Sequence, residues 1–199
     1  MRVNRVAKAQ KAQGNCGACH QPVEVGEPYN WIKNRFGPKR VKHARCGSFR
    51  ASEMTTSDKL SRLYAAQESI EDFEFSGDEG DDNLDDARSV MEAAADEAEQ
   101  VGEEYRESAS NIEDGFGSRT YQCDELDEKA DACDEWADTL RSALDSVDDE
   151  PDLSAIDEDD EEAVVSDRID SAEQAEQVRQ EWRDEVATAM VDAAGELSL

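Results

Sequence analysis

Cys16-Gly17-Ala18-Cys19 and His43-Ala44-Arg45-Cys46 are two short ligand pairs separated by 23 residues. A C-x-x-C or H-x-x-C step brings two donor atoms within reach of one ion. Two such pairs close a tetrahedral Zn²⁺ site with three thiolates and one imidazole. The gap is long enough for a β-hairpin that returns the second pair to the first. A segment of this size holds too little apolar surface to fold without a staple, and a metal supplies one. Cys16, Cys19, His43 and Cys46 are therefore the expected ligands. Four protein donors leave no open coordination position, so the metal is expected to be structural and not catalytic.

Two other readings use the same residues. Cys16-Gly17-Ala18-Cys19-His20 is a C-x-x-C-H string, the pattern of c-type haem attachment. Haem attachment needs export, and Met1-Arg2-Val3-Asn4-Arg5 is not followed by an apolar signal region. The expected compartment is therefore the cytoplasm, where cysteines read as metal ligands before disulfides. His20 also stands as an alternative to one of the four zinc ligands.

Charge divides the chain. Residues 1–50 hold 11 Lys/Arg and 2 Asp/Glu, a net +9, whereas the remainder holds 10 Lys/Arg and 49 Asp/Glu, a net −39. Uniform adaptation to salt would have acidified both parts, so the split points to two jobs. Lys33, Arg35, Lys39, Arg40, Lys42 and Arg45 surround Tyr29, Trp31 and Phe36. Cations interleaved with aromatics suit nucleic acid, the former taking phosphates and the latter stacking on bases. DNA or RNA is the partner expected for residues 1–50. The competing reading makes the aromatics a small core under the metal, with Trp31 in it, and the cations a solvated face. The acidic part reads as a solubilising face, as a phosphate-backbone mimic docking a basic protein, or as a restraint on the basic head.

The expected fold is mainly α: a small β-hairpin zinc finger, treble-clef or ribbon-like, then an acidic antiparallel helical bundle or coiled-coil hairpin. The expected divisions are a head over 1–50, a connecting helix and acidic linker over 51–80, and a bundle over 81–199. Residues 1–13 carry Arg2, Arg5, Lys8 and Lys11 every three positions, which suits one side of a helix or a flexible arm. Gly14 and Gly17 are expected to permit a tight turn at Cys16. Val23-Glu24-Val25, a Gly26-Glu27-Pro28 turn and Tyr29 to Phe36 read as a hairpin. Gly37-Pro38 marks a second turn, after which Lys39 to Lys42 lead back to His43. Ser57 is a candidate N-cap for a helix through Leu60, Leu63, Tyr64 and Ile70.

Leu84, Ala87, Met91, Ala94, Ala98, Val101, Tyr105, Ser108 and Ile112 recur at spacings of three and four, as do Leu126, Ala130, Cys133, Ala137, Leu140, Leu144 and Val147. Both are heptad seams, and the Gly115-Phe116-Gly117 break between them predicts a helical hairpin. Such seams serve an intramolecular bundle and a homodimer equally. Gly102 counts mildly against the first helix. Cys123 and Cys133, ten apart, are expected not to share a face, and Trp136 and Trp182 are expected to anchor packing. A loop over Asp148 to Glu162 and a last helix from about Ser166 to Ala193 complete the reading. No run of 18 apolar residues exists, so no membrane span is expected. No enzyme constellation emerges: both histidines lie by the finger, and no phosphate-binding glycine loop is present.

The C-x-x-C…H-x-x-C order around a hairpin with basic residues resembles the PARP-type zinc finger. The gap here is shorter, and Lys42 stands where that finger has an aromatic before the histidine, so only the ligand order carries over. The layout also resembles a group of tailed-phage proteins without an assigned function. The resemblance lies in Arg2-Val3, Lys11-Ala12-Gln13-Gly14-Asn15-Cys16-Gly17-Ala18-Cys19, Gly26-Glu27-Pro28-Tyr29-Asn30-Trp31, Lys39-Arg40-Val41 and Ser52-Glu53-Met54-Thr55-Thr56-Ser57, ahead of an acidic helical tail. It implies phage origin and a host-cell cytoplasmic setting.

Overall fold

The computed structural model describes residues 2–34, 37–75, 83–145, 147 and 172–197. The chain divides into two compact units, Met1–Ala65 and Ala66–Leu199. The first contains a three-stranded antiparallel sheet in the order β1 (Asn4–Val6), β2 (Tyr29–Lys33), β3 (Lys39–His43). A 3-10 turn, Ala44–Cys46, and a four-residue helix α1, Ala51–Met54, follow it. Helix α2, Asp58–Glu71, begins in the first unit and ends in the second.

The β2–β3 hairpin turns through Gly37-Pro38, as the turn signal predicts, and pairs Tyr29 with His43, Trp31 with Val41 and Lys33 with Lys39. The expected strand at Val23–Val25 does not form. Its two valines share a parity yet part company: Val23 is fully buried and Val25 is exposed. The segment instead bonds to the N-terminal stretch, with the Gln13 N–H on the Val23 carbonyl and the Gly26 N–H on the Ala9 carbonyl. The third strand comes from residues 1–13, expected as a helix side or an arm. Asn4–Val6 pairs with Tyr29–Trp31 and satisfies the free edge of β2.

Directly opposed residues of a ladder share a face, and the sheet therefore has two distinct sides. On one, Tyr29 and Val41 join Ala9, Cys16 and Val23 in a buried cluster, with Val6, Trp31 and Cys46 packed at its margin. On the other, Ile32 is fully buried and Arg40 and Lys42 lie over the Phe49 ring, 5.9 and 5.3 Å from its centroid. Glu53 of α1 locks that side. Its carboxylate meets Lys42 Nζ at 2.5 Å and accepts the Arg50 N–H at 3.0 Å, while its carbonyl accepts Arg40 Nη1 at 2.7 Å.

Ser57 caps α2 as expected: its hydroxyl accepts the Leu60 N–H and its carbonyl the Ser61 N–H. In the second unit, α3 (Asn83–Phe116) and α4 (Tyr121–Ser142) form the predicted antiparallel hairpin around Gly117, whose φ of +68 suits glycine. Their seams are buried against each other, from Leu84 and Met91 to Tyr105 on α3 and from Ala130 to Leu140 on α4. Two details differ from the heptad reading. Ala109 takes the buried place beside half-buried Ser108, and Cys123 extends the second seam three residues ahead of Leu126. Cys123 and Cys133 thus both face α3, and Cys123 Sγ donates to the Ala109 carbonyl at 3.5 Å.

Gly102 lies where α3 and α4 approach closely. A Cβ there would meet the Ala130 carbonyl oxygen and Cys133 Cβ, each at 3.3 Å, so the glycine that weakens α3 locally lets the axes approach. Helix α5, Ala172–Gly195, packs on this hairpin through Trp182, Val186 and Met190, and Trp136 Nε1 donates to the Ala193 carbonyl at 3.0 Å. The expected loop at Asp148–Glu162 and the first turns of the last helix lie outside the described residues. Among the described residues no helix is long and apolar enough to cross a membrane.

Candidate metal centre

The two ligand pairs reach one point by different routes. Cys16 sits on a short bridge to Val41 of β3, and Gly17 N–H bonds to the Val41 carbonyl at 2.8 Å. His43 is the last residue of β3, and Cys46 ends the 3-10 turn that follows. The tight turn at Cys16 does not depend on Gly14 or Gly17, neither of which has a positive φ. His20 takes the left-handed conformation instead, with φ of 60, and its N–H closes the turn on the Cys16 carbonyl. The second pair does need its glycine: Gly47, with φ 84 and ψ −171, lies where glycine alone is unstrained.

The donor atoms of Cys16, Cys19, His43 and Cys46 all lie within 4.8 Å of one another. Tetrahedral zinc, with bonds of about 2.3 Å to sulfur and 2.0 Å to nitrogen, sets donor–donor edges of about 3.5–3.8 Å. Small side-chain adjustments close that difference, and three sulfurs with one imidazole are a donor set zinc favours. The cluster fits a structural Zn²⁺ site. His20 is exposed and outside it, so the histidine donor is His43. Cys16 and Cys19 face His43 and Cys46, and His20, the last residue of the C-x-x-C-H string, stands apart from the four.

The protein prepares Cys16 for metal. Cys16 is buried, which pushes its thiol up, but the N–H groups of Cys19, His43 and Ala18 point at its sulfur and prevail, bringing it down to about 6. Two of those contacts are 3.4 Å long. Burial lowers the His43 value, yet its contacts with Cys16 and Cys19 raise it overall, and burial together with neighbouring thiols raises Cys46. A metal ion displaces the protons those two groups hold.

His43 is oriented from behind. Its Nδ1 faces Cys19 Sγ at 3.3 Å, while its Nε2 lies 3.2 Å from both the Pro22 carbonyl and a Glu27 carboxylate oxygen. A proton on Nε2 leaves Nδ1 free to ligate, the arrangement by which outer carboxylates fix metal-bound histidines. Glu27 is held in turn by the Glu24 N–H at 2.8 Å and by Arg45 Nη1 at 3.5 Å; the Glu24 N–H, then His43 and Arg45, keep its carboxyl below the ordinary value. Sequence reading did not single out Glu27. Its one signal was being half of the acidic content of a strongly basic head.

The six expected phosphate contacts do not form one patch. Lys33 and Lys39 stand exposed on the metal side of the sheet, and Arg40 is exposed on the other. Lys42 is buried in its pair with Glu53, so it braces α1 and does not lie on a surface, which corrects the expectation for that residue. Arg45 is exposed and paired with Glu27. Arg35 lies outside the described residues.

Comparison with family models, with curated proteins and with solved structures finds no match. The site and fold themselves define the class: a small antiparallel sheet stapled by a Cys₃His zinc centre, followed by acidic helices.

Proposed function

We propose that this is a non-enzymatic, zinc-stabilised nucleic-acid-binding protein. The single observation that carries the reading is the charge division. A head of net +9 is kept in shape by the metal centre, beside a region of net −39 whose charge would repel nucleic acid. A cationic surface on a rigid scaffold binds phosphate by releasing counterions. The tailed-phage resemblance supports an infected cell's cytoplasm as the setting.

The test is binding of the full, zinc-loaded chain to DNA and RNA at low salt. Binding should fall steeply as salt rises and disappear on chelation. Failure to bind either polymer at low salt removes the reading.

A specific observation favours one other reading. Phe116 and Tyr121 are exposed at 73% and 75%, at the tip of the α3–α4 hairpin. Arg119, between them, is engaged by Glu113, Asp124 and Asp127. Two open aromatics among carboxylates suit a basic protein surface. Under this reading the chain displaces DNA from a basic DNA-binding protein, and Phe116→Ser with Tyr121→Ser weakens that displacement.

A further inference from the structure

Lys33 and Lys39 are directly opposed across the β2–β3 ladder. Like charges in that position destabilise a hairpin. The other cations of β3 and of the turn after it are paired: Glu53 serves Arg40 and Lys42, and Glu27 serves Arg45. Neither Lys33 nor Lys39 meets a carboxylate among the described residues. Lys39 makes do with neutral partners, donating to Gln13 Oε1 at 2.7 Å and Tyr29 Oη at 3.3 Å. Its ammonium also lies 5.0 Å from the centroid of Trp31, the next residue inward on the same face.

We infer that Lys33, Lys39 and Trp31 form a binding site for single-stranded nucleic acid. This rests on the nucleic-acid reading above and names its site and substrate class. A local arrangement that costs stability and has no structural counter-ion is one that a ligand completes. The missing ligand is anionic, since two lysines stand opposed across the ladder and neither meets a carboxylate among the described residues. It also carries a flat ring. Trp31 is half-buried at the margin of the core cluster, and the Lys39 ammonium lies over its ring. When a phosphate draws Lys39 aside, the cation–π contact is exchanged for a charged one and the ring face opens to a base. Paired bases in a duplex present edges and not faces, so the combination selects an unpaired strand. Arg40 and Lys42, on the far side of the sheet and tied to Glu53, take no part.

The experiment uses the full, zinc-loaded chain and fluorescence anisotropy. The probes are a labelled oligothymidylate of about 16 nucleotides and a duplex of equal length. The single strand should bind more tightly. Lys33→Gln with Lys39→Gln should weaken it by about 10-fold or more and lower the slope of log affinity against log salt by about 1.4, two contacts at roughly 0.7 each. Trp31→Leu should weaken the single strand by about 5-fold or more, within the range for a lost stacking contact, and leave duplex binding unchanged. Zinc stoichiometry of each variant shows that the head has folded; where Trp31→Leu fails that check, Trp31→Phe takes its place, with a smaller loss expected. Equal binding of both probes, with no effect at Trp31, overturns this inference and leaves the broader reading standing. No binding of either probe removes both.

Discussion

The metal centre turns on how single residues hold their protons. Zinc competes with protons most at His43 and Cys46, whose values are raised, and least at Cys16, whose thiol comes down to about 6. Affinity should therefore rise with pH, and the dependence should steepen below about 6, where Cys16 adds one more proton to the competition. Chelator competition across pH 5 to 8 (a range of roughly three units that spans the Cys16 value of about 6) measures this; a dependence that flattens below 6 would count against the N–H contacts to Cys16. Glu27 provides a second residue-scale outcome. Glu27→Ala should weaken zinc by about 10-fold, the lower end for loss of an outer-shell partner, with Glu27→Gln retaining more. Unchanged affinity in the alanine variant would show that the Pro22 carbonyl suffices to orient His43. The four ligands were legible because ligand spacing is a local property of the chain. Glu27 was not, because its role exists only once Gly26-Glu27-Pro28 is folded against β3.

At the scale of elements, the long helices and the β2–β3 hairpin were legible and β1 was not. A 3-4 spacing sustained from Leu84 to Tyr105 can hardly be mistaken for anything else, and the structure buries that stripe. Asn4–Val6 is three residues long, too short to display a period, and its pairing is decided by the free edge of β2. Ten residues separate Cys123 from Cys133, a spacing that looks out of phase, yet 123, 126, 130 and 133 continue the heptad and both cysteines are buried. Gly102 was read by propensity, and packing prevails there. In an isolated helix Gly102→Ala would stabilise by about 1 kcal/mol. Here the new methyl presses on the Ala130 carbonyl and Cys133, and the substitution should instead cost about 1 kcal/mol, since overpacking outweighs propensity. Thermal denaturation decides the sign; a raised Tm would mean that the hairpin opens at no cost.

Across the whole molecule, charge is managed in two ways. In the acidic unit, arginines bridge α3 and α4. Arg141 engages Glu92, Asp96 and Glu99, and Arg106 engages Asp131 and Asp134. Exposed pairs contribute little singly, but each of these guanidiniums also relieves repulsion among the carboxylates it joins. In the basic unit the burden falls on the metal. Its small cluster of Ala9, Cys16, Val23, Tyr29 and Val41 contains a ligand, so the core and the metal site form together. The direct test is native mass spectrometry of the full chain before and after chelation, with near-ultraviolet circular dichroism recorded on the same samples. One zinc ion per chain is predicted, with its removal abolishing the signal from Tyr29 and Trp31, and with Cys46→Ala binding zinc weakly or not at all. A chain that carries no zinc, or one whose head keeps its aromatic signal once zinc is withdrawn, would contradict the account.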